Sequence, residues 1–236
     1  MRKFHLLGSV ALAFSLFFAL GTAATQAQNG SEFAGGNGTE ANPWQIATKQ
    51  QLAAIDNYKG EASKGKHFIL TKDLEFTLED FSAIGDFNNN GRLWVPLCYG
   101  NNYFGEDSFQ GTFDGGNHEI SGLRSTCGGG VFHCILNASV KNLTVSYKTI
   151  TGAIDGNYKD CAAGLSSFMD NSVIDNCHVI ADVSSTSGTY VGGLVGEVRH
   201  DKNYIINSSF KGSISANSRF VGGIAGGCND YYWTVF

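Results

Sequence analysis

The chain has 236 residues, 42% of them hydrophobic, and carries a formal net charge of −5. That acidic balance excludes the basic footprint of a nucleic-acid-binding protein. Thirty-one glycines against two prolines describe a backbone that turns often, with glycine at about twice its usual share of roughly 7%.

Met1-Arg2-Lys3 gives a positive start, Leu6–Leu20 an apolar run, and Thr25-Gln26-Ala27 a small-x-small pattern. Residues 1–27 are therefore expected to be a secretory signal peptide, with cleavage after Ala23 or Ala24 as the alternative. The apolar run is short for a membrane span, and no cysteine follows it to carry a lipid. About 209 residues would remain, with no membrane span. Export permits disulfides. The six cysteines, at 98, 127, 134, 161, 177 and 228, match neither a compact disulfide framework nor a Cys-x-x-Cys zinc site. Cys127 and Cys134 are the nearest pair, and their pairing is open at this level.

Residues 28–108 are expected to form an N-terminal cap and the first strands. Thr48-Lys49-Gln50-Gln51 has capping-box spacing, and Leu52, Ile55 and Ala53 supply an apolar face. A short helix of that kind covers an otherwise open strand edge. Residues 85–105 read as an inserted loop. Within it, Asp86-Phe87-Asn88-Asn89-Asn90-Gly91 matches the first half of a calcium loop, but Leu97 stands where the bidentate glutamate belongs. No metal site is assigned. The aromatics Phe87, Trp94, Tyr99, Tyr103 and Phe104 cluster there; Trp94 is expected in the core or cap, and the others are candidates for stacking on a sugar or a protein.

Residues 109–236 carry a repeat. Cys161-Ala162-Ala163-Gly164-Leu165, Tyr190-Val191-Gly192-Gly193-Leu194 and Phe220-Val221-Gly222-Gly223-Ile224 align at steps of 29 and 30 residues, with a looser copy at Gly129–Phe132. Between them recur Val140-Lys141-Asn142, Ile174-Asp175-Asn176 and Ile206-Asn207. Each asparagine is followed by an alternating stripe: Val145/Tyr147/Thr149, Val179/Ala181/Val183 and Phe210/Gly212/Ile214. Alternation buries one face of a strand and wets the other, placing Lys148, Asp182 and Lys211 outward and Cys177 inward as a buried free thiol. A unit of about 30 residues with short strands cannot close its own core, whereas stacked units can. Val131, Leu165, Leu194 and Ile224 should form one interior column. Asn142, Asn176 and Asn207 should form another at a left-handed corner. The expected fold is all-β, a parallel β-helix with an N-terminal cap containing a short helix. A sandwich would not require identity at a fixed period, and the Leu-x-x-Leu-x-Leu signature of leucine-rich repeats is missing.

Gly193-Leu194-Val195-Gly196 and Gly223-Ile224-Ala225-Gly226 resemble the repeat of the GLUG-motif family, found in bacterial surface proteins and in non-catalytic regions of IgA-specific metallopeptidases. Phe109–Leu123 resembles the family's lead-in segment, and Gly38–Ile46, the short helix and Phe68–Leu74 resemble its cap. Trp94-Val95-Pro96-Leu97 matches only in part, and Gly164-Leu165-Ser166-Ser167 lacks the closing glycine. The resemblance implies a right-handed parallel β-helix and surface exposure. It does not imply catalysis.

Asp155, Asp160, Asp170, Asp175, Asp182 and His178 are the candidates for polysaccharide chemistry, which needs convergent carboxylates or a base beside cations. In sequence the acids are scattered through loops and His178 sits on an outward strand position, and all are best explained as solvated surface groups. His-Glu-x-x-His, Gly-x-Ser-x-Gly and a P-loop are absent. No catalytic, cofactor or metal residue is assigned. The sequons at Asn29, Asn37, Asn137, Asn142 and Asn207 are expected to be unmodified. The expected function is a non-enzymatic secreted or cell-surface module, adhesin-like, with a protein or glycan partner. The alternatives are a carbohydrate-active β-helix enzyme and a structural stalk. No capping repeat is visible near Phe236, so a longer protein and end-to-end self-association are both expected.

Overall fold

The computed structural model of the protein describes residues 32–82, 93–101, 104–126, 128, 130–152, 161–185, 189–200 and 202–229. The expected leader, the Asp86–Gly91 half-loop, Phe87, Tyr103, Cys127, Asp155, Asp160 and positions from 230 onward lie outside the described residues.

In chain order the elements are β1 (Trp44–Ile46), α1 (Lys49–Ala54), β2 (His67–Leu70), β3 (Leu74–Glu75), β4 (Thr112–Ser125), β5 (Phe132–Leu136), β6 (Ser139–Gly152) and β7 (Cys161–Ala162). Then follow β8 (Ser166–Asp170), β9 (Val173–Ser185), β10 (Tyr190–Gly192), β11 (Val195–Arg199), β12 (Tyr204–Ile206), β13 (Ser209–Ala216), β14 (Phe220–Gly222) and β15 (Ala225–Asn229). They build three sheets. The first runs β1-β2-β4-β6-β9-β12, with β13 also on β9 and β3 on β4; the second is β14-β10-β7; the third is β15-β11-β8-β5. Every pair of named strands is parallel, and from β6 onward the chain visits the first, second and third sheets in a fixed rotation. Successive circuits therefore stack, and the fold is a parallel β-solenoid, as the repeat predicts.

Register follows the repeat closely. Tyr190 lies between Cys161 and Phe220, and Val191 between Ala162 and Val221. The Leu165 amide donates to the Leu194 carbonyl (2.9 Å) and the Leu194 amide to that of Ile224 (3.0 Å). Val131, Leu165 and Leu194 are fully buried. Asn142, Asn176 and Asn207 all have positive φ, between 50° and 53°. Asn176 Nδ2 donates to Asn142 Oδ1 at 3.0 Å, so the amides bridge two corners while holding the bend. Cys177 is fully buried, free, and paired in register with Leu143; burial pushes its thiol up to about 12.

Three details differ from the sequence reading. Ile205, not Ile206, stacks on Ile174, which keeps the apolar-x-Asn spacing of the other two copies, and Ile206 lies opposite Asp175 and is exposed. A register shift between Ser146 and Ile150 sets Ile150, rather than Thr149, opposite Val183. And the segment read as an insertion is partly a rung. Leu97 and Phe109 each make a parallel bridge to β5, at Phe132 and Ile135, and the described residues between them form a strap against the third sheet. Trp94, Leu97 and Cys98 are buried, and Trp94 Nε1 donates to the Gly130 carbonyl at 3.1 Å.

The N-terminal end is closed twice. Thr48 caps α1 by accepting from the Gln51 amide, while Gln51 Oε1 accepts from the Ala47 amide at 2.7 Å. Leu52 and Ile55 are fully buried in the core that contains Ile46 and Phe68. The outer edge of β1 is covered by Gly35, which pairs antiparallel with Gln45.

Candidate functional site

Six carboxylates are described between 109 and 229, and all six reach the following rung. Asp114 Oδ1 accepts from Asn142 Nδ2 (3.0 Å), Glu119 Oε1 from Ser146 Oγ (2.6 Å), and Asp175 Oδ1 from Asn207 Nδ2 (2.8 Å). Asp182 Oδ1 accepts from Ser213 Oγ (2.6 Å) and its amide (3.0 Å), which holds the carboxyl below the usual range. Asp170 Oδ2 pairs with His200 Nδ1 at 2.8 Å, and Glu197 Oε1 accepts from Asn229 Nδ2 at 2.9 Å. Asp170, Asp175 and Asp182 thus sit on strands, not on loops, and Asp170 is buried. The physical reason is spacing. At a repeat of about 30 residues, a carboxylate meets whatever polar side chain the next copy places above it, and a charge-assisted bond forms across roughly 4.8 Å. His178 belongs to the same system: its ring bonds Ser209 Oγ (2.8 Å) and Asn176 Oδ1 (3.3 Å).

A side-chain cluster separate from the main core lies on the third sheet. Cys134, Phe168, Glu197 and Gly227 occupy one column there. Glu197 is fully buried, and Arg199 grips it with two bonds, Nε to Oε1 at 2.8 Å and a terminal nitrogen to Oε2 at 3.1 Å. A buried carboxylate is costly unless paired and fully bonded, and Arg199 with Asn229 meets that demand. The guanidinium lies 4.2 Å from the Phe104 ring centroid and 5.7 Å from that of Phe168. Phe104 comes from the strap, so a cation–π contact fastens the strap to the solenoid. Tyr99, also on the strap, packs at 4.7 Å on His133. Lys59 Nζ donates to the Tyr99 carbonyl (2.8 Å), and Asp56 Oδ1 accepts from the Cys98 amide (2.7 Å). Tyr99 and Phe104, expected as candidates for an exposed partner surface, therefore pack inward on this face.

This arrangement holds more readily than it reacts. Cys134 is fully buried and burial drives its thiol well above its ordinary value, so no thiolate is available as a nucleophile. His133, buried against Tyr99 and Phe168, is pushed down to about 4 by burial. Cys134 is a free thiol. Among the described residues no group of three or more His, Cys, Asp or Glu side chains is placed to hold a metal ion.

The Asn142–Asn176 link was legible from the aligned asparagines, but its extension to Asp114 and the bond of Asn207 to Asp175 were not. A second corner column, Asn137 and Asn171 with φ of 51° and 45°, was not. Their side chains hydrogen-bond each other, but the third copy replaces them with His200 and Lys202, also at positive φ. The Glu197–Arg199–Asn229 group was missed as well. Its signal is opposite charges two apart on one strand face, with an amide 32 residues beyond the glutamate.

No family model matches the chain. It is 26% identical over 222 residues to "Halomucin" of Haloquadratum walsbyi, covering 81% of this chain and 2% of that protein. It is 35% identical over 130 residues to a "Putative Gly-rich membrane protein" of Evansella cellulosilytica, covering 52% of this chain and 13% of that protein. The chain thus spans only a small part of the curated relatives it matches. A solved structure described as a "putative immunoglobulin A1 protease from Bacteroides ovatus" aligns at 18% identity with a TM-score of 0.49, over 85% of this chain and 66% of that one. Among the described residues, no helix is long and apolar enough to cross a membrane.

Proposed function

We propose that the chain is a non-enzymatic solenoid module of a secreted or cell-surface protein, of the GLUG-motif kind, and that it presents its lateral faces to a protein or glycan partner. One observation carries this reading: each described carboxylate of the repeat region is engaged as a clasp to the next rung. Glycoside hydrolysis needs two carboxylates converging across one bond, free to exchange protons with substrate. Acids committed to inter-rung hydrogen bonds serve cohesion instead. The signal-peptide pattern of residues 1–27 and the names of the two relatives support export and a surface location. The test uses the processed chain, offered to a panel of plant and host polysaccharides and matrix proteins. Saturable retention on a panel member without new reducing or unsaturated ends is expected. Turnover that vanishes in an Asp170→Asn or Asp175→Asn variant would overturn the reading.

A further inference from the structure

The outer face of the first sheet carries a hollow that the rung clasps leave open. Phe68, Phe113 and Val140 stack in register across β2, β4 and β6 and are fully buried. Alternation turns their neighbours outward in two columns, His67/Thr112/Ser139 and Ile69/Asp114/Lys141. The turn that leads into β1 walls one side through Glu40 and Pro43, and the hollow measures about 240 Å³. That wall is locked in place. Asn37 Oδ1 accepts from the Thr39 amide (3.2 Å) and hydroxyl (2.7 Å), and the His67 amide donates to the Gly38 carbonyl (3.0 Å). At Gly36, φ is 83° and a methyl group would meet the Pro43 carbonyl oxygen at 1.8 Å, so the turn closes only on glycine.

The polar groups of the hollow are positioned but unspent. Asp114 Oδ1 is fixed by the Gly116 amide (2.9 Å) and Asn142 Nδ2 (3.0 Å), which leaves Oδ2 beside Lys141 Nζ at 3.4 Å. Among the described residues, the side chains of Glu40, His67, Thr112 and Ser139 bond to no other protein group. Asparagines and aspartates elsewhere on the solenoid clasp one rung to the next. Thr112 and Ser139 are register partners in adjacent rungs, yet their hydroxyls do not clasp.

We propose that this hollow is the glycan-binding site of the surface module, a reading on which it rests, and that it takes one neutral sugar ring. A fixed carboxylate beside an ammonium suits vicinal hydroxyls, one donating to Asp114 Oδ2 while its neighbour accepts from Lys141 Nζ. The Thr112 and Ser139 hydroxyls and the His67 ring add donors and acceptors for the remaining hydroxyls. Ile69 and Pro43 offer an aliphatic surface to the C–H face of the ring. Charge narrows the choice. Glu40 and Asp114 outweigh Lys141, so an acidic sugar is repelled, and Lys141 already neutralises the carboxylate that would hold an amine. A peptide strand finds no edge here, since β2, β4 and β6 are each paired on both sides.

The test is nitrogen-15 nuclear magnetic resonance of the processed full chain, titrated to tens of millimolar with the methyl glycosides of glucose, galactose, mannose and glucuronic acid. At least one neutral glycoside should shift the amides of residues 112–114 and 139–141 saturably, with a dissociation constant on the order of 1 mM. The glucuronide should bind about tenfold more weakly. Lys141→Met keeps the aliphatic stem, and Thr112→Val with Ser139→Ala removes two hydroxyls that carry no bond in the fold. Each variant should keep the native urea midpoint and weaken binding about tenfold. Lys148→Met, elsewhere on β6, should leave binding unchanged. Silence from every neutral glycoside, equal or tighter binding of the glucuronide, or shifts indifferent to both variants would each overturn the site. Such a failure is separable from that of the surface-module reading, which turnover of a glycan overturns.

Discussion

Two rungs of this solenoid carry nearly the same words and live in different surroundings. Val191, Leu194 and Val195 in one, and Val221, Ile224 and Ala225 in the other, occupy identical register positions. The first three are fully buried; the second three are half-buried or exposed. Side-chain identity does not explain the difference, since valine recurs and leucine and isoleucine are of similar size. What differs, among the described residues, is a neighbour on both sides against a neighbour on one. Burial in a solenoid is supplied by the adjacent copy, so stability is close to a sum of nearest-neighbour contacts.

The sharpest way to break this comparison is to cut the same side chain from both rungs. Leu194→Ala should cost about 2–5 kcal/mol, the usual loss for a buried leucine with an unfilled cavity. Ile224→Ala, at 40% exposure, should cost about 1 kcal/mol or less. Urea unfolding of the two variants measures this, and equal losses would refute the neighbour account.

A second difference is proton-dependent. His133 lies under the strap in a covered rung, and residues 204–229 contain no histidine. Burial depresses its folded value to about 4 from an ordinary 6.5. The unfolded chain therefore binds more protons between those values. The stability is fully present above about pH 6.5 and is lost as pH falls toward 4, by on the order of 3 kcal/mol. Urea midpoints from pH 7 to 4 should fall more steeply for the native chain than for His133→Phe. Parallel profiles would show that the imidazole is not held neutral by burial.

The smallest expected effect concerns the corner amides. Asn176 donates to Asn142 and faces His178, whereas Asn207 makes one exposed bond to Asp175. Glycine tolerates the positive φ of both, so Asn176→Gly and Asn207→Gly remove side-chain bonds without backbone strain. Asn176→Gly should cost about 1 kcal/mol more in the same urea assay.

How much of this was legible depends on whether a feature repeats. The steps of 29 and 30 residues placed Tyr190 against Cys161 and Phe220 correctly, and the three aligned asparagines located one corner. Features present in only one or two copies were not legible. The Asn137–Asn171 corner fails because its third member changes type. Ile206 was taken for Ile205 because both residues before Asn207 are isoleucine, and only the register shows which of them stacks on Ile174. The strap was read as an insertion because Leu97 and Phe109, its two points of entry into the third sheet, are separated by a bulge with no period. The acids were seen as scattered because their partners lie about 30 residues away, on a rung that only the fold brings near. Glu197 with Arg199 is the clearest instance: two charges two residues apart on paper become a bidentate pair, Glu197 buried and the guanidinium over Phe104 of the strap.

Hydrogen exchange, resolved to single amides, tests the neighbour account most directly. It should be measured on the dilute native chain. The Leu165 and Leu194 amides donate to the next rung, and the amide at position 224 has no described rung beyond it. The account predicts that positions 165 and 194 exchange more slowly than position 224 by a factor on the order of a thousand, within the usual span of local opening energies. Equal protection at all three positions would contradict it, showing that the rungs open together and that burial is not handed from one copy to the next.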